Sequence, residues 1–240
     1  MPDRFSTPPP VARILRFLSL YHRHRVIGLR HIPYQGRCLL VVNHSLATYD
    51  IGLLAYQIEE KMHRFARGLG DRALFRLPVQ KELMAKFGAV EANPENAKRL
   101  LEAEQLVVVA PGGMREALRP KDERYRVRWE RRKGFVRLAL TYQTPIVLAA
   151  CPDADRLYHL YDNPVTKMVY HKFRLPLPLL RGWGLSFLPR PVQLTHVLSE
   201  PMFPPPIEGR TEEEVEELVT QWHREICDRM NRLLQQPFSE

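Results

Sequence analysis

Cysteine is scarce in this chain, and several other features are missing altogether. Its three cysteines, Cys38, Cys151 and Cys227, are odd in number and widely spaced through 240 residues, which suits neither a disulfide framework nor a metal-ligand pattern. Cys38 and Cys151 fall in apolar, strand-like runs and are expected in the core. No window approaches the ~18 uninterrupted apolar residues that a spanning helix needs, so no transmembrane segment is expected. Met1 to Pro10 include Asp3 and Arg4 and lack an apolar signal core, which argues against secretion and makes the cytoplasmic side the expectation. Zinc-ligand patterns, aromatic RNP-type strands and helix-turn-helix spacing are absent. So is the Gly-x-Ser-x-Gly elbow of a serine hydrolase, which leaves Ser45 a weak nucleophile candidate. No repeat and no long linker divides the chain, and its length suits one domain with a full core.

Acidic charge is the minority. Thirty-six basic against twenty-seven acidic residues leave a formal charge of +9, which favours a polyanionic partner without choosing between anionic membrane and nucleic acid. Near the start, Val11, Ile14, Leu15, Leu18 and Tyr21 recur at helical spacing with Arg13, Arg16, Arg23 and Arg25 mostly between them, so residues 1–24 are expected to carry a basic amphipathic helix ahead of a domain over 25–240. Such a helix lies in a membrane interface or packs on its own domain, and both readings stay open.

Beyond it, strand-like and helix-like segments alternate. Strands are expected at Arg25 to Leu29, Cys38 to Val42, Phe65 to Gly68, Ala89 to Val90, Leu106 to Ala110, Pro145 to Ala150 and Gln193 to Leu198. Helices are expected at Ile51 to Met62, Arg76 to Phe87, Asn93 to Ala103, Gly134 to Tyr142 and Thr211 to Gln235, the last opened by a Thr211–Glu214 capping box. Strands apolar on both faces and separated by helices predict a single-domain α/β sandwich with a mostly parallel central sheet.

Two segments follow such strands and carry the chemistry. Asn43-His44-Ser45-Leu46-Ala47-Thr48-Tyr49-Asp50 follows the run ending at Val42, and Ala110-Pro111-Gly112-Gly113-Met114-Arg115-Glu116 continues the run beginning at Leu106. The ends of strands are where α/β folds keep their sites. A neutral His suits the removal of a hydroxyl proton, and a carboxylate on its far nitrogen fixes the tautomer. His44 is the candidate base and Asp50 its candidate partner. On one ideal helix they would stand about 120° apart, so the chain must bend between them. The plainer reading is that Asp50 or Thr48 caps a helix and His44 is a satisfied strand-end histidine. Gly112 and Gly113 let backbone N–H groups approach a ligand.

Asn-His, a short spacer and Asp after one strand, with a Pro-Gly-Arg turn after a later one, resemble the glycerolipid and lysophospholipid acyltransferase superfamily. The string Pro111 to Leu118, with Trp129, Arg132, Gly134, Phe135, Thr144 to Val147 and Phe187 to Pro191, is closest to its diacylglycerol-acyltransferase-like branch. The resemblance covers roughly Ile27 to Pro204. It implies a His44–Asp50 catalytic dyad, an acyl donor on coenzyme A or acyl carrier protein, no further cofactor and no metal. It also implies a lipid acceptor and a peripheral or monotopic place on a membrane. Asn43, Arg76, Gly112, Gly113, Arg115 and Glu116 are the candidate substrate-binding residues.

Two departures stand out. Five residues separate His44 from Asp50 where the superfamily commonly has four, and Gly112 replaces the Glu of the usual Phe-Pro-Glu-Gly-Thr-Arg turn, with Glu116 as a substitute four positions later. Loss of that Glu favours a neutral mono- or diacylglycerol acceptor over a lysophospholipid. Arg72, Arg76 and Arg119 would make the opposing case as a phosphate site. The apolar, proline-broken segment Phe173 to Leu188 is expected to be a buried loop or an interfacial flap. A catalytically silent lipid-binding member of the same fold is the alternative. A nucleic-acid-binding protein resting on Arg124 to Lys133 is a weaker one.

Overall fold

A computed structural model describes residues 6–45, 48–76, 78–117, 124–160, 180–184 and 186–236. In chain order the elements are α1 (Pro9–Tyr21), β1 (Arg25–Ile27), β2 (Cys38–Val42), α2 (Tyr49–Met62), β3 (Ala66–Gly70), α3 (Pro78–Lys86), β4 (Val90–Glu91), α4 (Pro94–Glu102), β5 (Leu106–Val109), α5 (Gly113–Ala117), α6 (Gly134–Thr141), β6 (Ile146–Ala150), β7 (His159–Leu160), β8 (Leu180–Arg181), β9 (Thr195–Leu198) and α7 (Glu212–Gln235). Seven strands form one sheet in the order β1-β9-β6-β2-β5-β3-β4, and β7 pairs with β8 apart from it. The strands from β6 to β4 are parallel to one another, while β9 runs antiparallel to β6 and parallel to β1. The mostly parallel α/β sandwich expected from the sequence is present. The reversed direction of β9 was not legible from apolar runs, which carry no direction.

The sheet is covered on both faces because its central strands are apolar on both. Leu39, Val41, Val107, Val109, Ile146 and Leu148 face α4, α6 and α7, where Leu101, Val136, Leu140, Trp222, Ile226 and Met230 meet them. The alternate set, Cys38, Leu40, Val42, Leu106, Val108, Val147 and Ala149, packs with Leu54, Ile58 and Met62 of α2. Alternation along each strand thus divides the core into two layers. Helix ends are set locally: Asn93 accepts from the Asn96 N–H at 2.8 Å to start α4, and Thr211 with Glu214 forms the expected capping box on α7. In the basic segment after residue 124, Val127 and Trp129 are buried and belong to the core, while Tyr125 stays exposed, so the alternation is that of a half-buried segment.

Helix α1 departs from a single-stripe amphipathic helix. Leu15 is buried, and Val11, Ala12 and Leu18 pack beside it against Leu53 and Tyr56 of α2. Ile14, expected in that stripe, faces outward with Phe17 and Leu20, at 60%, 65% and 72% exposure. One side of the helix docks on the domain, and a second apolar row remains on the surface between the exposed Arg13 and Arg16. The Tyr21 hydroxyl donates to the Pro189 carbonyl at 2.8 Å, drawing the segment with exposed Trp183, Phe187 and Leu188 to the end of α1. Half of the Phe173 to Leu188 flap, residues 173–179 and 185, lies outside the described residues. No described helix is long and apolar enough to cross a membrane.

Candidate active site

Parallel pairing brings the site together. Val41 stands opposite Val109, and Val42 opposite Ala149, so the residues following β2, β5 and β6 leave the sheet at one edge. Asn43 ties two of these ends together. Its amide oxygen accepts from the Cys151 N–H at 2.8 Å, and its amide nitrogen donates to the Cys151 carbonyl at 3.4 Å. The side chain is buried, so it holds β2 to β6 with both of its polar atoms.

Ser45 is the hub that sequence reasoning missed. Its hydroxyl donates to Asp50 Oδ1 at 2.7 Å and accepts from the Thr48 N–H at 3.3 Å. Its carbonyl accepts from the Thr48 hydroxyl at 3.3 Å and lies 2.8 Å from His44 Nδ1. These bonds make the bend required between His44 and Asp50, and Thr48 adopts a left-handed φ of 57° before α2 begins. Both members of the expected dyad are therefore hydrogen-bonded to Ser45, not to each other. A carbonyl oxygen only accepts, so Nδ1 of His44 carries the proton, and in the neutral ring the lone pair is on Nε2. A Ser followed three residues later by a Thr able to close a turn was the available signal, and it was too common a pattern to single out.

Asp50 sits in the first turn of α2 and is 1% exposed. Burial pushes its carboxyl up to about 6, against the opposing effect of the Ser45 hydroxyl and the N–H groups at the start of α2. Its Oδ2 has no hydrogen-bond partner among the described residues and faces His196 Nε2 at 3.8 Å. His196 Nδ1 lies 2.9 Å from His24 Nε2. Burial drives His196 well below the usual imidazole range and takes His24 down to about 4, with His22 and Lys61 adding to the latter. Both imidazoles are thus neutral at pH 7 beside an ionised Asp50. Donor atoms of Asp50, Cys151 and His196 lie within 4.8 Å of one another, a buried set that could hold a small cation.

The second motif folds as a turn into the short helix α5. An added Cβ at Gly112 would overlap the carboxylate of Glu116, so the Glu116 side chain fills the space that a side chain at position 112 would take. Glu116 is buried and accepts from the Trp129 indole N–H at 3.0 Å. Gly113 takes φ 54° and its N–H donates to the Ala110 carbonyl at 3.2 Å. Arg76 is exposed in the turn before α3, and Arg72 lies 3.4 Å from Glu91. Arg115 is in α5, and Arg119 lies outside the described residues.

This arrangement is an α/β acyltransferase fold. The crystal structure of the 1-acyl-sn-glycerophosphate (LPA) acyltransferase PlsC from Thermotoga maritima superposes on the whole chain and on 86% of its own length, with a TM-score of 0.55 and 17% identity; at that identity the likeness concerns the fold. The family model for diacylglycerol acyltransferase matches residues 46–237, and the chain belongs to that family. Asp50 and the 110–116 turn lie inside the match, and His44 stands two residues ahead of it. Relatives described as "DGAT1/2-independent enzyme synthesizing storage lipids" share 28% identity over 90% of this chain and 62% of their own in Bos taurus, and 27% over 90% and 64% in Homo sapiens. An uncharacterized protein of Mycobacterium tuberculosis shares 32% over 75% of this chain and 52% of its own. The chain spans between about half and two thirds of the length of these curated relatives.

Proposed function

We propose that the protein is a membrane-associated O-acyltransferase that moves a fatty acyl group from a thioester to a glycerolipid hydroxyl, with His44 as general base. The observation that carries this is His44 itself: its Nδ1–H is anchored on the Ser45 carbonyl, which leaves Nε2 as the basic nitrogen at the edge where β2, β5 and β6 end. In the proposed step Nε2 takes the acceptor's hydroxyl proton as the oxygen attacks the thioester carbonyl carbon. The tetrahedral intermediate then collapses, the C–S bond breaks, and the departing sulfur takes the proton from the imidazolium. Ester and free thiol result. Asp50 supports the transient positive charge through its bond from Ser45.

A neutral mono- or diacylglycerol is favoured over a lysophospholipid. Glu116 is turned inward to Trp129, so its carboxylate is not offered to the glycerol end of a glycerol phosphate, and the storage-lipid names of the relatives agree. The exposed apolar row on α1, flanked by arginines, with Trp183, Phe187 and Leu188 nearby, suits docking on an anionic bilayer on the cytoplasmic side. The donor is acyl-coenzyme A or acyl carrier protein. The test is detergent-solubilised protein with each donor and, separately, monoacylglycerol, diacylglycerol and lysophosphatidate, following thiol and lipid product, beside His44→Ala. Acceptor-dependent thiol release lost in His44→Ala supports the reading. Release unchanged in His44→Ala overturns the base assignment, and no release with any pair favours a silent lipid-binding protein, a reading to which the indirect His44–Asp50 link lends weight.

A further inference from the structure

Behind Asp50 lies a buried pair of histidines that the reaction as described does not use. Asp50 Oδ2 is buried without a hydrogen-bond partner among the described residues, and so is His24 Nδ1. Buried orphan atoms of this kind are uncommon and call for a cause. Between them stands His196, in the middle of β9 and 1% exposed, with Nδ1 2.9 Å from His24 Nε2 and Nε2 3.8 Å from Asp50 Oδ2. The register of β1 on β9, with Val26 opposite His196, brings His24 to its partner. Geometry therefore couples a residue ahead of β1 to the carboxylate at the head of α2.

One proton in the 2.9 Å His24–His196 bond decides how the chain is polarised. If His196 donated from Nδ1, its Nε2 lone pair would face the Asp50 carboxylate, and His24 Nδ1–H would be a buried donor with nothing to receive it. If His24 donates from Nε2, His196 turns an N–H towards Asp50 and only a lone pair on His24 is left over. The second arrangement removes a repulsion and an orphan donor together. At 3.8 Å the last contact is longer than a hydrogen bond and needs a shift of under about 1 Å to become one, the kind of tightening that accompanies substrate binding.

We propose that His196 is a positioning residue for acyl transfer: held by His24 as the Nε2–H tautomer, it donates to Asp50 Oδ2 and keeps that carboxylate charged and aimed at the Ser45–His44 turn. The proposal rests on the acyltransferase reading of this site. The groups facing the chain are Cys151 and Ser45 around Asp50, Asp155 farther off, and His22 and Lys61 around His24. With both imidazoles neutral and Asp50 ionised near pH 7, the polarity runs from His24 to Asp50 without a net proton transfer.

The experiment uses the full chain. Long-range 1H–15N spectra of the histidine-labelled wild type at pH 7 read the tautomer directly: protonation of His196 at Nε2 is expected, and protonation at Nδ1 overturns the proposal. Steady-state kinetics then compare His196→Leu with His196→Gln, whose amide can replace the Nε2–H donor. Loss of a hydrogen bond to a charged group corresponds to a fall in kcat of about 10- to 100-fold for His196→Leu, with KM within about twofold and the acidic limb of the kcat profile moved to higher pH, and with His196→Gln recovering most of the loss. A folded His196→Leu with unchanged kcat and limb overturns the proposal. So does an equal loss in both variants. Should His196→Leu not fold, the wild-type tautomer and His196→Gln still decide. A wild type inert towards every donor and acceptor would defeat the acyltransferase reading, and the tautomer would then decide separately whether His196 serves Asp50.

Discussion

Replacing Asp50 by Asn should make the folded protein more stable at neutral pH and the enzyme slower. Burial raises the Asp50 carboxyl from 3.8 to about 6, and each unit corresponds to about 1.4 kcal/mol, so the ionised group weighs on the folded state by up to about 3 kcal/mol at pH 7. The sign follows from linkage. With the folded pKa above the unfolded one, the folded state binds more proton between about pH 4 and 6; the stabilising contribution is full below the lower value and lost as pH rises through the higher. Asp50→Asn is close to a permanently protonated Asp. Its stability gain over wild type should approach the full figure at pH 7.5 and vanish near pH 4. For a chain of this size the larger gain corresponds to a Tm rise on the order of 5–10 °C. Urea unfolding and calorimetry of both proteins at pH 7.5, 5.5 and 4 would measure it, and titration of other groups, His24 among them, largely cancels in the difference. An Asp50→Asn protein less stable than wild type at pH 7.5, or a gain that does not change with pH, would falsify the reasoning.

Three further sets of substitutions probe the other parts of the structure. Ile14→Ser, Phe17→Ser and Leu20→Ser together should weaken co-sedimentation with anionic vesicles by at least about tenfold and leave Tm nearly unchanged, because exposed side chains carry little folding energy; equal vesicle binding would remove α1 as the docking face. Gly112→Ala drives a methyl into Glu116 and should destabilise by about 2–3 kcal/mol in urea unfolding, with part of the loss restored when Glu116→Ala is added. Additive losses would mean that the two positions do not compete for space. Asn43→Ala strips a buried Cys151 N–H of its acceptor and should cost about 2–4 kcal/mol while lowering kcat. A variant with wild-type stability would show that β2 and β6 do not need this tie.

Much of the architecture could be read in advance because it depends on patterns that local chemistry enforces. The runs Cys38 to Val42 and Leu106 to Val109 are apolar on both faces and became the central parallel strands. Thr211 and Glu214 announced the start of α7 because a capping box is satisfied within four residues. What escaped depends on partners distant in sequence. Nothing near His196 or His24 signals that they meet across 172 positions, since pairing of β1 with β9 is set by the whole sheet. Ile14 shares the helical apolar pattern of Val11, Leu15 and Leu18, yet periodicity alone cannot say which apolar residues of a helix find a neighbour. The bond from Ser45 to Asp50 escaped for a different reason: it depends on the turn between them, and turn geometry is poorly specified by Ser, Leu, Ala and Thr.

The pairing of β1 with β9 has a consequence for synthesis. A chain emerging from the ribosome can lay α1 on α2, and β5 between β2 and β3, once residues up to Val109 are out, because all of these segments come early in the sequence. Val26 cannot meet His196, nor His24 complete the chain to Asp50, until β9 has appeared some 170 residues later, and contacts of such long range form late. If the apolar row of α1 docks on a bilayer as proposed, it is available long before β9 completes the site, so that arrival at the membrane would precede competence for chemistry.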